Sequence, residues 1–207
     1  MAQPPVIAPA TPGGLHDHVR ELLLAARAQV HQTVNTVMVQ TYWQIGRLIV
    51  EDEQGGEKRA AYGQRVLLDL SKRLTLEFGS GFSTQSLWNY RQFYRRFPNL
   101  SALRRELSWT HYKSLIRIDN PKARDWYARE AVEQGWSVRA LDRQIGTLFY
   151  ERLLSSQDSA RPGVMAEARD NIAREAPPDP RDFIRDPYVL EFLGAQADHH
   201  LHEKDIE

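Results

Sequence analysis

The chain has 207 residues, no cysteine and a formal net charge of zero. Without cysteine it has no disulfide, thiolate nucleophile or cysteine metal site, which fits a reducing cytosol. No apolar run reaches the roughly 18 residues that span a bilayer, and MAQPPVIAPATPGG lacks the basic start and apolar core of a secretory signal, so a cytoplasmic protein with no membrane contact is expected.

The zero charge conceals a segregation. Residues 1–61 hold 5 Lys/Arg against 6 Asp/Glu, a net of −1. Residues 62–153 hold 16 against 9, a net of +7, and residues 154–207 hold 6 against 12, a net of −6. A basic middle attracts phosphate backbones, although basic helix faces are also commonly just solvated.

Residues 1–14 are rich in Pro, Ala and Gly and read as disordered. From about Asp17 a long helix is expected. Val19, Leu22, Leu23, Ala26, Val30, Val34, Val37, Met38, Ile45, Leu48 and Ile49 recur at spacings of three and four, with Gly46 as the one interruption. Such a helix exceeds what a small monomeric core covers. Either part of it packs on a second copy, making helix 17–50 a homo-oligomer interface, or later helices wrap both halves. Residues 51–61 (EDEQGGEKRAA) read as a loop.

The next helix is expected over 61–78, with Val66, Leu67, Leu70, Leu74 and Phe78 buried. Gly79-Ser80-Gly81 ends it, glycine taking a left-handed cap at no steric cost. Ser83 suits the N-cap of a third helix with Leu87, Tyr90, Phe93, Tyr94 and Phe97 inside and Pro98 at its end. Ser108 caps a short helix carrying Trp109, Tyr112, Leu115 and Ile116. Asn120-Pro121 opens another that ends at Gly135. Ser137 caps a last one, with Val138, Leu141, Ile145, Leu148, Phe149 and Leu153 on one face. No strand-like alternation persists up to residue 155, so the fold class is mainly α. Residues 156–181 read as a linker with Pro162, Pro177, Pro178 and Pro180. FIRDPYVLEFLG then forms a short apolar island.

The pair of helices around Gly79–Ser83 has the pattern of a helix-turn-helix, which an ordinary helical hairpin shares. The outer face of its second helix holds Thr84, Gln85, Trp88, Asn89, Gln92, Arg95 and Arg96. Gln and Asn pair bidentately with adenine, and Arg with guanine or phosphate. Gln85 and Asn89, near the helix start, are therefore candidate base readers. Arg91, Arg95 and Arg96 are candidate phosphate contacts, and Lys72 and Arg73 on the preceding helix add to the candidate surface. The bland alternative is a solvated face with arginines lying over aromatics. Arg139 and Arg143 could grip phosphates on a second such pair, but Asp142 and Glu151 dilute them and favour a scaffold helix. His111 reads as a partly buried core histidine. His199, His200 and His202 with Glu203 and Asp205 read as a solvated terminus rather than a metal site. No Walker A, GxSxG or HExxH sequence occurs.

The run Tyr42-Trp43-Gln44-Ile45-Gly46-Arg47-Leu48-Ile49 resembles the YW-x-IG-R-x-I signature of the YhcG family. Glu53-Gln54, Arg59-Ala60, Tyr62-Gly63, Gly81-Phe82-Ser83, Leu107-Ser108-Trp109, Trp136-Ser137-Val138-Arg139 and Asp186-Pro187-Tyr188-Val189 continue the pattern in order. The resemblance implies a helical N-terminal region, residues 15–155, thought to bind duplex DNA. It also implies a following PD-(D/E)XK nuclease domain of which residues 182–207 are the start. Mg²⁺ is implied only for that complete domain, whose metal-binding Asp and Glu-x-Lys do not occur here. Glu203, Asp205 and Glu207 align with its first helix. These 207 residues are thus expected to take no cofactor, to have no catalytic residue and not to cut DNA, one carboxylate being unable to hold the metal and activate a water. The expectation is a DNA-targeting module. The alternative is a helical interaction module that docks on a restriction–modification partner without touching nucleic acid.

Overall fold

The structure, a computed structural model, describes residues 14–55, 60–156 and 187–193. The N-terminal tail, the linker and the histidine-rich end lie outside these residues. Among those described the regular structure is all helical: α1 (Leu15–Gly55), α2 (Ala60–Phe78), α3 (Thr84–Arg96), α4 (Trp109–Leu115), α5 (Pro121–Glu133), α6 (Val138–Gly146), α7 (Phe149–Ser155) and α8 (Pro187–Phe192). Short 3-10 turns at Ser80–Phe82 and Leu100–Ala102 punctuate them.

α1 is 41 residues long, about 60 Å at 1.5 Å per residue. Its second half crosses α3, and this crossing is the centre of the molecule. Tyr42 stacks on Tyr90 at 4.2 Å between centroids, and Trp109 closes on Tyr42, Tyr90 and Phe93 at 5.0, 5.2 and 5.4 Å. Offset and edge-on ring pairs of this kind add specific attraction to the area they bury. Trp43 Nε1 donates to the Phe97 carbonyl at 2.7 Å, fastening the end of α3 to α1. Gly46 lies at the closest approach: a Cβ there would stand 2.0 Å from the Tyr90 carbonyl oxygen. The glycine that interrupts the apolar pattern is therefore a contact point, and the helix runs straight through it.

The caps follow the expected chemistry. Ser83 accepts the Ser86 N–H at 3.2 Å. Ser108 and His111 form a reciprocal capping box. Asn120 accepts from Lys122 and Ala123 ahead of Pro121. Gly79 and Gly135 take positive φ, +92° and +61°, at the ends of α2 and α5.

Three expectations are corrected. The polar stretch from Glu51 to Gly55 is helical, because Glu53 faces α3 and is held there by arginines. Phe78 is not in the core; it is more than half exposed and meets Phe82 edge-on at 5.8 Å. The segment after Ser137 is two helices, not one. The Tyr127 hydroxyl donates to the Gln144 carbonyl at the end of α6 and accepts the Tyr150 N–H at the start of α7. It thereby satisfies backbone groups that the break exposes. Burial at this junction pushes the Tyr127 hydroxyl up to about 12. Leu148, at the turn, is forced to φ +52°.

α8, from the apolar island, folds back onto the helical body. Val189 is buried in the same core, Phe192 meets the edge of Tyr42 at 5.9 Å, and Lys113 donates to the Tyr188 hydroxyl.

Candidate nucleic-acid interface

α3 buries Leu87, Tyr90 and Phe93, with Tyr94 and Phe97 packed beside them. Its opposite side presents Gln85, Trp88, Asn89, Gln92 and Arg95 at i, i+3, i+4, i+7 and i+10, one surface of a helix with 3.6 residues per turn. Gln85 and Arg95 are exposed and Trp88 is 44 % exposed, high for an indole. Gln85 Nε2 donates to Asn89 Oδ1 at 3.4 Å. The two amides thus stand side by side, each with its other polar atom directed elsewhere. This array of hydrogen-bonding amides with one flat aromatic can meet base edges, phosphates or a polar protein surface.

The arginines are less free. Arg91 Nε and Arg95 Nη2 converge on a single oxygen, Glu53 Oε2, at 2.8 and 3.1 Å. Glu53 is only 11 % exposed in its side chain, so its charge is shielded from solvent and bound by both cations. Arg96 pairs with Asp119 at 2.6 Å and donates to the Ile118 and Asp119 carbonyls. Arg124, buried above the Phe97 ring, donates to the Ile118 and Arg96 carbonyls. Arg96 and Arg124 together satisfy the carbonyls between α3 and α5 that no helix pairs.

Three of the seven residues singled out in the sequence thus serve the fold as well as lining a surface. Arg95 alone of the three is exposed, by 44 % of its side chain. The sequence marks Glu53 only within the YhcG pattern and not as a site residue, because residues 51–61 read as a loop. The available signal was its position seven residues, two helical turns, after Gly46, on the face that meets α3.

Lys72 and Arg73 are exposed on α2, and neither enters an ion pair among the described residues. The same holds for Arg65, Arg104, Arg105, Arg117, Lys122 and Arg139. α6 behaves as a scaffold helix, burying Ala140, Leu141 and Gln144 while Arg139 faces out. A cleft of about 350 Å³ lies between α1 and residues 100–107, with Arg104 and Arg105 in its wall. Asn35, buried in its floor, donates to the Leu107 carbonyl at 3.0 Å and leaves its Oδ1 without a partner.

The family model of the DUF1016 N-terminal domain matches residues 18–152, all seven helices of the main body included nearly end to end. The chain belongs to this family. Over 225 aligned residues the DUF1016 chain is 37 % identical to the Escherichia coli (strain K12) protein named "Putative nuclease YhcG". The alignment takes in 93 % of this chain and 58 % of that relative, so the chain spans rather more than half the relative's length. The YhcG-type N-terminal region read from the motifs is thereby established. No solved structure matches the chain. No helix among the described residues is long and apolar enough to cross a membrane.

Proposed function

We propose that this DUF1016 domain binds nucleic acid, duplex DNA in the first instance, and positions a YhcG-type nuclease on it. The observation that carries the reading is the open face of α3. Gln85, Trp88 and Asn89 stand together on a helix whose other side is locked into the core, as a reading surface requires. Support comes from the net of +7 over residues 62–153, from the free cations Lys72 and Arg73, and from the relative named as a nuclease. In this reading Gln85 and Asn89 address base edges, Trp88 packs on sugar or base, and Lys72, Arg73 and Arg95 contact phosphate. The cutting chemistry, with its Mg²⁺, belongs to a domain of the PD-(D/E)XK class rather than to these helices.

A salt titration tests it. Binding of labelled duplex should weaken about tenfold or more between roughly 50 and 200 mM salt, because each phosphate contact releases counterions. Lys72→Ala with Arg73→Ala should lower the slope of log affinity against log salt by about 2, one per lost contact. Gln85→Ala with Asn89→Ala should leave the slope intact and narrow the gap between preferred and random sequences. Absence of salt-sensitive binding to any duplex removes the reading.

The second reading, a helical interaction module for a restriction–modification partner or for itself, is favoured by a different observation: the apolar stripe along α1. It makes its own prediction.

A further inference from the structure

The first half of α1 extends away from the core. From Leu15 to Val34 it has no buried side chain, yet it carries Leu15, Val19, Leu22, Leu23 and Val30, which are 45 to 81 % exposed. A helix in a protein draws most of its stability from packing an apolar face, and contiguous exposed apolar surface marks a contact site.

The spacing identifies the contact. Leu15, Val19, Leu22, Ala26, Val30, Thr33 and Val37 advance by 4, 3, 4, 4, 3 and 4 residues. Eleven residues advance three turns plus about 20°, so over its two repeats the stripe drifts by only about 40° and stays on one side of the helix. At 100° per residue it lies opposite the face through Met38, Tyr42, Gly46 and Ile49 that α1 sets on α3, and packing on α3 therefore leaves it open. Thr33 conforms, because its hydroxyl donates to the Gln29 carbonyl at 2.9 Å and leaves the methyl for packing.

The stripe also reads the same in both directions. From Ala26, stripe residues lie 4, 7 and 11 positions away on either side: Leu22 and Val30, Val19 and Thr33, Leu15 and Val37. A two-fold axis through Ala26 brings each of them against its counterpart on an antiparallel neighbour, and the smallest residue sits where the backbones come closest. We propose that two copies of this chain pair antiparallel through residues 15–37 of α1, with the axis at Ala26. The overlap is about 35 Å long, and self-complementarity of this kind selects a second copy over an unrelated helix. Arg27 flanks the axis on each copy, so like charges meet across it. Added salt screens them and tightens the pair, the opposite of its effect on a DNA complex.

The absence of cysteine makes the test direct. Sedimentation should find a dimer whose affinity rises with salt. Ala26→Cys should cross-link to a covalent dimer under diamide, which accepts the two electrons and two protons released by the paired thiols. Leu15→Cys should not, its neighbour in this register being Val37. Leu22→Glu combined with Val30→Glu should keep the helical circular dichroism, both sites being exposed already, and weaken dimerisation at least about 100-fold, because the two positions face each other across the axis and the variant sets carboxylate against carboxylate in a formerly apolar contact. A monomer at the highest soluble concentration overturns the proposal. So does cross-linking of Leu15→Cys, which places the helices parallel. DNA affinity is read separately and bears on neither outcome.

Discussion

The surroundings of His111 favour the neutral imidazole. The Ser108 N–H donates to Nδ1 at 3.2 Å, and Nε2 lies 3.0 Å from the Trp136 carbonyl, so the ring carries its single proton on Nε2. A proton on Nδ1 displaces the Ser108 N–H from that nitrogen and so breaks the capping box, leaving the Ser108 Oγ, 2.7 Å away, to take it. Burial holds the imidazole below its ordinary value, and the Trp136 carbonyl and the Asp142 charge offset this only in part. With the folded value lowered, the unfolded chain binds more protons in acid. The stabilising contribution is therefore complete above about pH 6.5 and is lost as pH falls below it. Chemical denaturation midpoints measured from about pH 7.5 to 5 should fall for the native chain. They should fall less steeply for His111→Asn, which starts lower but has no proton to gain. Leu148 offers the reverse case. Its φ of +52° costs a branched side chain about 1 kcal/mol, and it is exposed with little to pack on. Leu148→Gly should raise the melting temperature by a few degrees, and a fall would show that the side chain matters more than the strain.

The crossing of α1 and α3 depends on one missing methyl and one shared carboxylate. Gly46→Ala puts a Cβ into the Tyr90 backbone, which cannot swing aside as a side chain can. The expected loss is about 3 kcal/mol, the upper range for overpacking, measured by urea unfolding with an unchanged slope. Glu53→Gln has a double signature. It removes the counter-ion of Arg91 and Arg95 from a mostly buried position, lowering stability by about 2 kcal/mol. Arg95 is already a phosphate contact in the proposed role, so the variant newly frees only Arg91 beside the polar face of α3; under that role DNA affinity should rise and its salt slope steepen by up to about 1. Lower affinity instead would mean that the arginines serve the crossing alone. These contacts also mark what the sequence could disclose at this scale. Caps at Ser83, Ser108 and Asn120 are local, and each was legible because its partner lies two or three residues away. The outward residues of α3 were legible from periodicity. The Glu53 clamp and the α6–α7 break were not, because each depends on a residue brought in from elsewhere: Arg91 from 38 positions away, and the Tyr127 hydroxyl from the preceding helix.

At the scale of the molecule, the apolar island read as the opening of a following domain is seated in the core of this one. Val189 is almost fully buried, and Phe192 and Tyr188 reach Tyr42 and Lys113 on two different helices. Hydropathy alone marks such an island as buried but cannot say against what, since any apolar surface of either domain would satisfy it. The contacts here make a mechanical claim: α8 and the α1–α3 crossing should unfold together. Val189→Ala deletes two methyl groups from a filled site and should cost about 1–2 kcal/mol. Phe192→Ala removes an edge-on ring from a less enclosed one and should cost about as much. Both losses should appear in the single main transition, followed by tryptophan fluorescence, since all five tryptophans lie at or before residue 136 and none is on α8. If α8 were a separate unit, either variant would leave that transition where it is. The same coupling ties α8 to the α1–α3 crossing. A segment anchored on Tyr42, directly behind the stacked Tyr90 of α3, is held in fixed register with the face that carries Gln85, Trp88 and Asn89. Under the proposed DNA-binding role, loosening α8 by Val189→Ala should leave DNA affinity and its salt slope unchanged, because α8 packs behind the α1–α3 crossing and not on the face of Gln85, Trp88 and Asn89; a change in either would place α8 in the interface.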